Sequence, residues 1–188
     1  RRRRLNIPGE CDFAGRGMLV SGVLEQENVA GRSVVIVGGG DAALENALIL
    51  SGSADRVAVV HRGDSFTARE YFVSAIHERS KIVTKLNSQL EAILGDSHVR
   101  SVILNGPDGR SSLPCEAVLI RIGVEPNTDL FQGQVELDED GYLVVDEQFR
   151  STVDKVWAIG DVTNPVAMTI ANAVGQGSAA AKSIVASR

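Results

Sequence analysis

An α/β fold, with a parallel sheet followed by an antiparallel meander, is predicted by three observations in this chain. The first is the apolar run Val34-Val35-Ile36-Val37, which leads directly into Gly38-Gly39-Gly40-Asp41-Ala42-Ala43 and a helix-forming segment. The second is another apolar run, Val57-Ala58-Val59-Val60, which closes on His61-Arg62. The third is a set of short β-like segments, Lys81 to Leu86, Leu90 to Leu94 and Val99 to Leu104. Gly95-Asp96 and Asn105-Gly106-Pro107-Asp108-Gly109 divide them, as turns divide a meander.

In chain order, residues 1–30 read as irregular, punctuated by Pro8, Gly9, Gly15, Gly17 and Gly22. A strand over 34–37 precedes a helix over 41–51, which ends at Ser51-Gly52-Ser53. The second strand spans 56–61. Residues 67–79 carry Phe72, Val73 and Ile76 at helical spacing. The three meander segments follow, and Cys115–Ile122 is a further apolar β run. Beyond Gly123 the chain becomes loop-rich, with a short strand expected at 141–145 and a buried strand at 156–159. A helix rich in small residues is expected over 166–186.

The first strand–turn–helix carries a GxGxxA pattern with a second strand in the right place after it. This is the arrangement that holds a dinucleotide. Gly38 makes the tight turn, Gly40 lets the backbone approach a pyrophosphate, and Ala43 lets the helix pack closely on the sheet. The free N–H groups of the helix end face the phosphates. The expected architecture is therefore a Rossmann-like, three-layer nucleotide-binding domain.

The 188 residues are 44% hydrophobic and 23% charged, with a net charge of −5. Such a composition suits a globular chain and argues against a nucleic-acid surface. No apolar stretch is long enough to span a bilayer, and no signal peptide is read, so the expected location is cytoplasmic. Arg1–Arg4 read as a solvated segment or a small anion-binding patch. Cys11 and Cys115 fit neither a disulfide framework nor a CxxC site. Asp138-Glu139-Asp140 reads as a solvated turn with no metal.

Several stretches together resemble the thioredoxin reductase branch of the two-dinucleotide flavoprotein reductases. They are Leu5-Asn6-Ile7-Pro8-Gly9-Glu10 with Phe13-Ala14-Gly15-Arg16-Gly17; Gly38 to Ala43 with Glu45; His61-Arg62; Ile122 to Thr128; and Trp157-Ala158-Ile159-Gly160-Asp161-Val162. The resemblance implies a linker leading in over 1–30 and an NAD(P)H-binding domain over 31–122. Over 123–188 it implies the C-terminal half of a second, FAD-binding Rossmann-like domain. It also implies a homodimer, and a missing N-terminal FAD segment, so that the chain is a fragment or its other half exists elsewhere.

The chain departs from that pattern at three places. Where the family carries Cys-x-x-Cys, these positions read Ser21-Gly22-Val23-Leu24, and thiol–disulfide exchange needs two sulfurs. The basic cluster for the NADPH 2′-phosphate is thinned to His61-Arg62-Gly63-Asp64-Ser65-Phe66-Thr67, with Arg69 as partial compensation. Since no acid follows the second strand, NADPH is favoured and NADH stays possible. Met168 and Thr169, followed by Ile170, stand where the family often places an Arg-Gln pair beside the flavin.

By resemblance Asp161 bonds the FAD ribityl chain, and Gly160, Ile122 and Gly123 line the cofactors; Asp161 also reads as a helix N-cap. Glu45 could meet the nicotinamide or face a partner domain. Gly175 and Gly177 suggest close approach of a cofactor or of absent strands. His61 reads as a positioning residue, and His77 and His98 as surface residues. The expected activity is hydride transfer from NAD(P)H to FAD and on to an external acceptor, a protein or a small molecule, without an own dithiol. The alternatives are a non-catalytic NAD(P)-binding module, and a thioredoxin-disulfide reductase whose dithiol lies in a missing segment.

Overall fold

Burial on both faces builds the parallel sheet. In the computed structural model, which describes residues 1–186, strand β1 is Met18–Leu19, β2 is Ser33–Val37 and β3 is Arg56–Val60. Strand β4 is Ile82–Lys85 and β8 is Ala117–Ile120. They pair all-parallel in the order β1-β8-β2-β3-β4. Helix α1 (Asp41–Ser51) crosses from β2 to β3, and α2 (Glu70–His77) lies between β3 and β4, as parallel neighbours require.

Successive side chains on a strand point to opposite faces, and both faces here are covered. Val34, Ile36, Val57, Val59, Ala117 and Leu119 share a core with Ala43, Leu44, Ala47 and Leu50 of α1 and Ile76 of α2. Val35, Val37, Ala58, Val60 and Val118 pack on the other face against a three-stranded antiparallel sheet. That sheet is β5 (Gln89–Gly95), β6 (Val99–Gly106) and β7 (Gly109–Pro114), in sequential order. The layers are thus helices, parallel sheet and antiparallel sheet.

Four sequence expectations need correcting. Lys81–Leu86 is not in the meander: its core, β4, is the edge of the parallel sheet beside β3. The meander's third strand is instead β7, whose residues are exposed but for one intermediate position. Residues 1–30 are not wholly irregular, since β1 pairs with β8 and Phe13 joins the second core. Neither 141–145 nor 156–159 is a strand. Each forms a lone bridge, Leu137 with Leu143 and Arg150 with Trp157, because no neighbouring segment continues the ladder.

The described chain divides into two compact units, Arg3–Gly123 and a second made of Arg1–Arg2 with Val124 onward. In the second, Arg1 pairs with Glu125 and Asp129, so the arginine run is not simply solvated. Asp138 organises the acidic turn by accepting from the Asp140 and Tyr142 amides at 3.0 and 2.8 Å. Helix α3 begins at Ile170, four residues later than expected from the small-residue run. Thr169 caps it, with Oγ1 accepting from Asn172 N at 3.2 Å and its carbonyl from Ala173 N at 3.1 Å. A Cβ on Gly177 would stand 3.3 Å from Ile159 Cδ1, so the close approach at that glycine is made within the unit. Among the described residues no helix is long and apolar enough to cross a membrane, and no group of potential metal ligands clusters.

The two cysteines differ sharply. Cys11 is exposed and Cys115 buried. Burial, with a smaller contribution from the Glu116 charge, pushes the Cys115 thiol up to about 12. A thiolate is the reactive form, so iodoacetamide at pH 8 should alkylate Cys11 alone in the folded protein and both cysteines in denaturant, as read by intact mass.

Candidate functional site

The C-terminal end of β2 turns into α1 through three glycines that have different reasons to be there. Gly38 has φ of 146° and donates to the Val60 carbonyl at 3.0 Å. A Cβ on it would stand 2.1 Å from the Arg121 carbonyl oxygen. Only glycine fits. Gly39 is closed by the imidazole of His61, whose Cε1 and Nδ1 would lie 2.3 Å from an added Cβ. Gly40 is different, since an added Cβ would meet only Thr67 Oγ1, at 3.9 Å. Packing within the chain does not demand glycine there. Gly40 is also the cap residue of α1, and no side chain caps that end; the Ala43 and Leu44 amides donate to the Gly40 carbonyl, and those of Asp41 and Ala42 precede the first intrahelical bond. Ala43 is fully buried behind the turn.

The loop after β3 folds back over this turn. The Gly39 carbonyl accepts from Thr67 N at 2.9 Å, Ala68 N at 3.0 Å and Thr67 Oγ1 at 3.3 Å. One residue further, Arg69 donates its N–H to Asp41 Oδ1 at 2.8 Å and its Nε–H to Asp41 Oδ2 at 2.7 Å. Its guanidinium lies over the Phe72 ring, 5.1 Å from the centroid. The Arg69 amide first, and then its guanidinium, hold the Asp41 carboxyl below the ordinary aspartate range. Helix α2 begins only at Glu70 because residues 67–69 are spent on this strap.

His61 packs at 5.7 Å, ring centroid to ring centroid, on Phe66. A Cβ on Gly63 would stand 2.8 Å from His61 Nε2, so a side chain there would require the imidazole to shift. Partial burial lowers the His61 pKa below 6.5; the Ser65 backbone opposes this, Arg62 adds to it, and Asp64 opposes it. The unfolded chain therefore binds more protons than the folded one just below pH 6.5, so stability should rise with pH through that interval and level off above it. Urea midpoints at pH 5.5 and 7.5 should show this slope, reduced in His61→Asn; an unchanged slope in the variant would remove His61 as its source.

Of the residues singled out from sequence, Gly38, Gly39, Gly40, Asp41, Ala43, His61 and Arg69 meet in this one turn. Arg62, Ala42 and Glu45 are exposed beside it in the chain. Ile122 is half-buried against the antiparallel-sheet core, and Gly123 offers its carbonyl to Arg3 N at 3.1 Å. Ser21 to Leu24 form a turn seated on α1, where Gly22 N donates to Asn46 Oδ1 at 2.8 Å. Leu24 is 82% exposed. In the second unit Gly160 opens the 3-10 turn Gly160–Thr163 with φ of 74°, and its N–H is accepted by Gln176 Oε1 at 2.6 Å. Asp161 is exposed and does not cap α3, which starts nine residues later. Met168, Thr169 and Ile170 are exposed at the head of that helix. Sequence reading missed Thr67 and Ala68 as the strap on Gly39, and Asn46 as the seat of the 21–24 turn.

The sequence profile of the pyridine nucleotide-disulphide oxidoreductases matches residues 1–177. The chain belongs to this family. As a pyridine nucleotide-disulphide oxidoreductase it is similar to the thioredoxin reductase of Treponema pallidum, 34% identical over 181 residues that cover 95% of this chain and 59% of the relative. It is similar to the same degree to a glucosaminate ammonia-lyase of Pseudomonas fluorescens, 35% identical over 95% of this chain and 59% of the relative. The crystal structure of Lactococcus lactis thioredoxin reductase superposes with a TM-score of 0.88 at 27% identity, covering 97% of this chain and 61% of that one. Its Rossmann-type architecture is the one described above. The chain thus spans about three fifths of the length of the curated relatives it matches.

Proposed function

We propose that residues 31–122 bind NAD(P)H, and that residues 123–188 contribute to an FAD site, in an FAD-dependent oxidoreductase of thioredoxin reductase-like type. The observation that carries this is the uncapped N-terminus of α1 behind Gly40, where glycine is not required by the protein's own packing. Aligned helix amides and their partial positive charge suit a diphosphate. Gly38 and Gly39 shape the turn, Ala43 seats the helix, and Arg62 is the exposed cation at the end of β3 for a 2′-phosphate.

In the second unit, Gly160 with the exposed Asp161 and the head of α3 at Met168, Thr169 and Ile170 would hold FAD. When bound, the flavin supplies acceptance of hydride from the nicotinamide and its passage to an external acceptor. The chain's residues bind and orient. Ser21 and Leu24 supply no sulfur where the family resemblance places a dithiol, so the acceptor we propose is external: a redox protein or a small molecule. A cytoplasmic homodimer completes the reading.

Calorimetric titration with NADPH and NADH tests it. Saturable binding of at least one coenzyme is expected. Arg62→Ala should weaken NADPH about tenfold while leaving NADH within about twofold, the loss of one charge-assisted contact. Absence of saturation with either coenzyme overturns the proposal. The complete protein, with the N-terminal FAD segment that the family resemblance implies, should purify yellow; if it binds nucleotide but stays colourless, it is a binding module and not a flavoenzyme.

A further inference from the structure

Arg69 looks, from sequence, like a spare cation for a 2′-phosphate. Its geometry says otherwise. Its backbone N–H and its Nε–H are both directed at the two carboxylate oxygens of Asp41, at 2.8 and 2.7 Å, and its guanidinium is laid against Phe72. Asp41 is the first residue of α1, at the helix end where the dinucleotide diphosphate is proposed to sit. A carboxylate there suits the helix itself but opposes an arriving diphosphate. The strap from Thr67 and Ala68 onto the Gly39 carbonyl delivers Arg69 to that carboxylate.

We propose that Arg69 is a positioning residue that acts through Asp41: it neutralises and turns away the carboxylate at the head of α1. It thereby raises affinity for both nicotinamide coenzymes alike, and it is not a ligand of the 2′-phosphate. This rests on the dinucleotide reading above and extends it to the discrimination between the two coenzymes, which then falls to Arg62. Screened at a surface, an uncompensated like charge near the diphosphate weakens binding by about threefold to tenfold.

The test is a double-mutant cycle on the full chain, with NADPH and NADH titrated calorimetrically into wild type, Arg69→Gln, Asp41→Asn and the double variant. Arg69→Gln should weaken both coenzymes by about threefold to tenfold and leave their ratio unchanged. The double variant should return both to within about twofold of wild type, a rescue that a merely structural strap does not give. Loss of NADPH binding alone in Arg69→Gln would make Arg69 a direct 2′-phosphate ligand and overturn the inference. Loss of both without rescue, or no loss, would overturn it too. Should Arg69→Gln melt early, the Asp41→Asn background decides: with no carboxylate to neutralise, adding Arg69→Gln there must leave both coenzymes within about twofold, and a larger fall in either counts against the role. No binding to wild type would overturn the underlying dinucleotide reading, a result separate from these.

Discussion

Gly38→Ala should abolish saturable binding of NADPH and NADH and lower stability by on the order of 3 kcal/mol. Two independent causes act at the position. The φ of 146° lies in a region that side-chain-bearing residues rarely enter. The added Cβ would also stand 2.1 Å from the Arg121 carbonyl oxygen, which is backbone at the end of β8 and has no rotamer by which to yield. The turn must therefore open, carrying the first amides of α1 away from the line of β2. Gly40→Ala is the control. It meets nothing closer than 3.9 Å, so it should fold and melt like wild type while still losing nucleotide affinity. A Gly38→Ala protein with wild-type melting and affinity would refute this account of the turn.

Leu44→Ala should cost about 2–5 kcal/mol and lower the melting temperature by roughly 5–15 °C. Leu44 is fully buried on α1 and belongs to the core shared with Val34, Ile36, Val57 and Val59. Removing its side chain takes away its burial and leaves a cavity walled by β-branched residues, which collapse poorly into a gap. Calorimetric melting measures the loss directly. Because α1 is seated by this contact, coenzyme affinity should fall as well, and by the same factor for NADPH and NADH. A melting temperature within two degrees or so of wild type would place Leu44 outside the cooperative core.

The first half of the fold was legible because its signals are local. Asp41–Ser51 matches the expected helix in both bounds, since the glycines before it and Gly52 after it are punctuation that works without partners. β4 was assigned to the wrong sheet because Ile82–Lys85 has a β pattern but no residue that names its neighbour; pairing with β3 is decided by the α2 crossover. β7 was missed because Gly-Arg-Ser-Ser-Leu-Pro carries almost no apolar face, and its backbone pairing with β6 does not need one. The strands expected at 141–145 and 156–159 failed for the opposite reason, having suitable residues and no ladder to join. At the site, the glycines were readable and the Asp41–Arg69 pair was not. Its members are separated by 28 positions and meet only once residues 61–69 have folded back.

The strand order β1-β8-β2-β3-β4 has a consequence for synthesis. β8, built from Ala117–Ile120, sits between β1 and β2, so one of the three inner strands of this sheet is the last of its strands to leave the ribosome. Until then the nascent chain carries an open β2 edge and a two-residue β1 with nothing to hold it, and such edges invite pairing with other chains. Cotranslational closure of this unit must wait for the segment ending at Ile120, and ribosome-bound chains halted before Ala117 should remain protease-sensitive along β2.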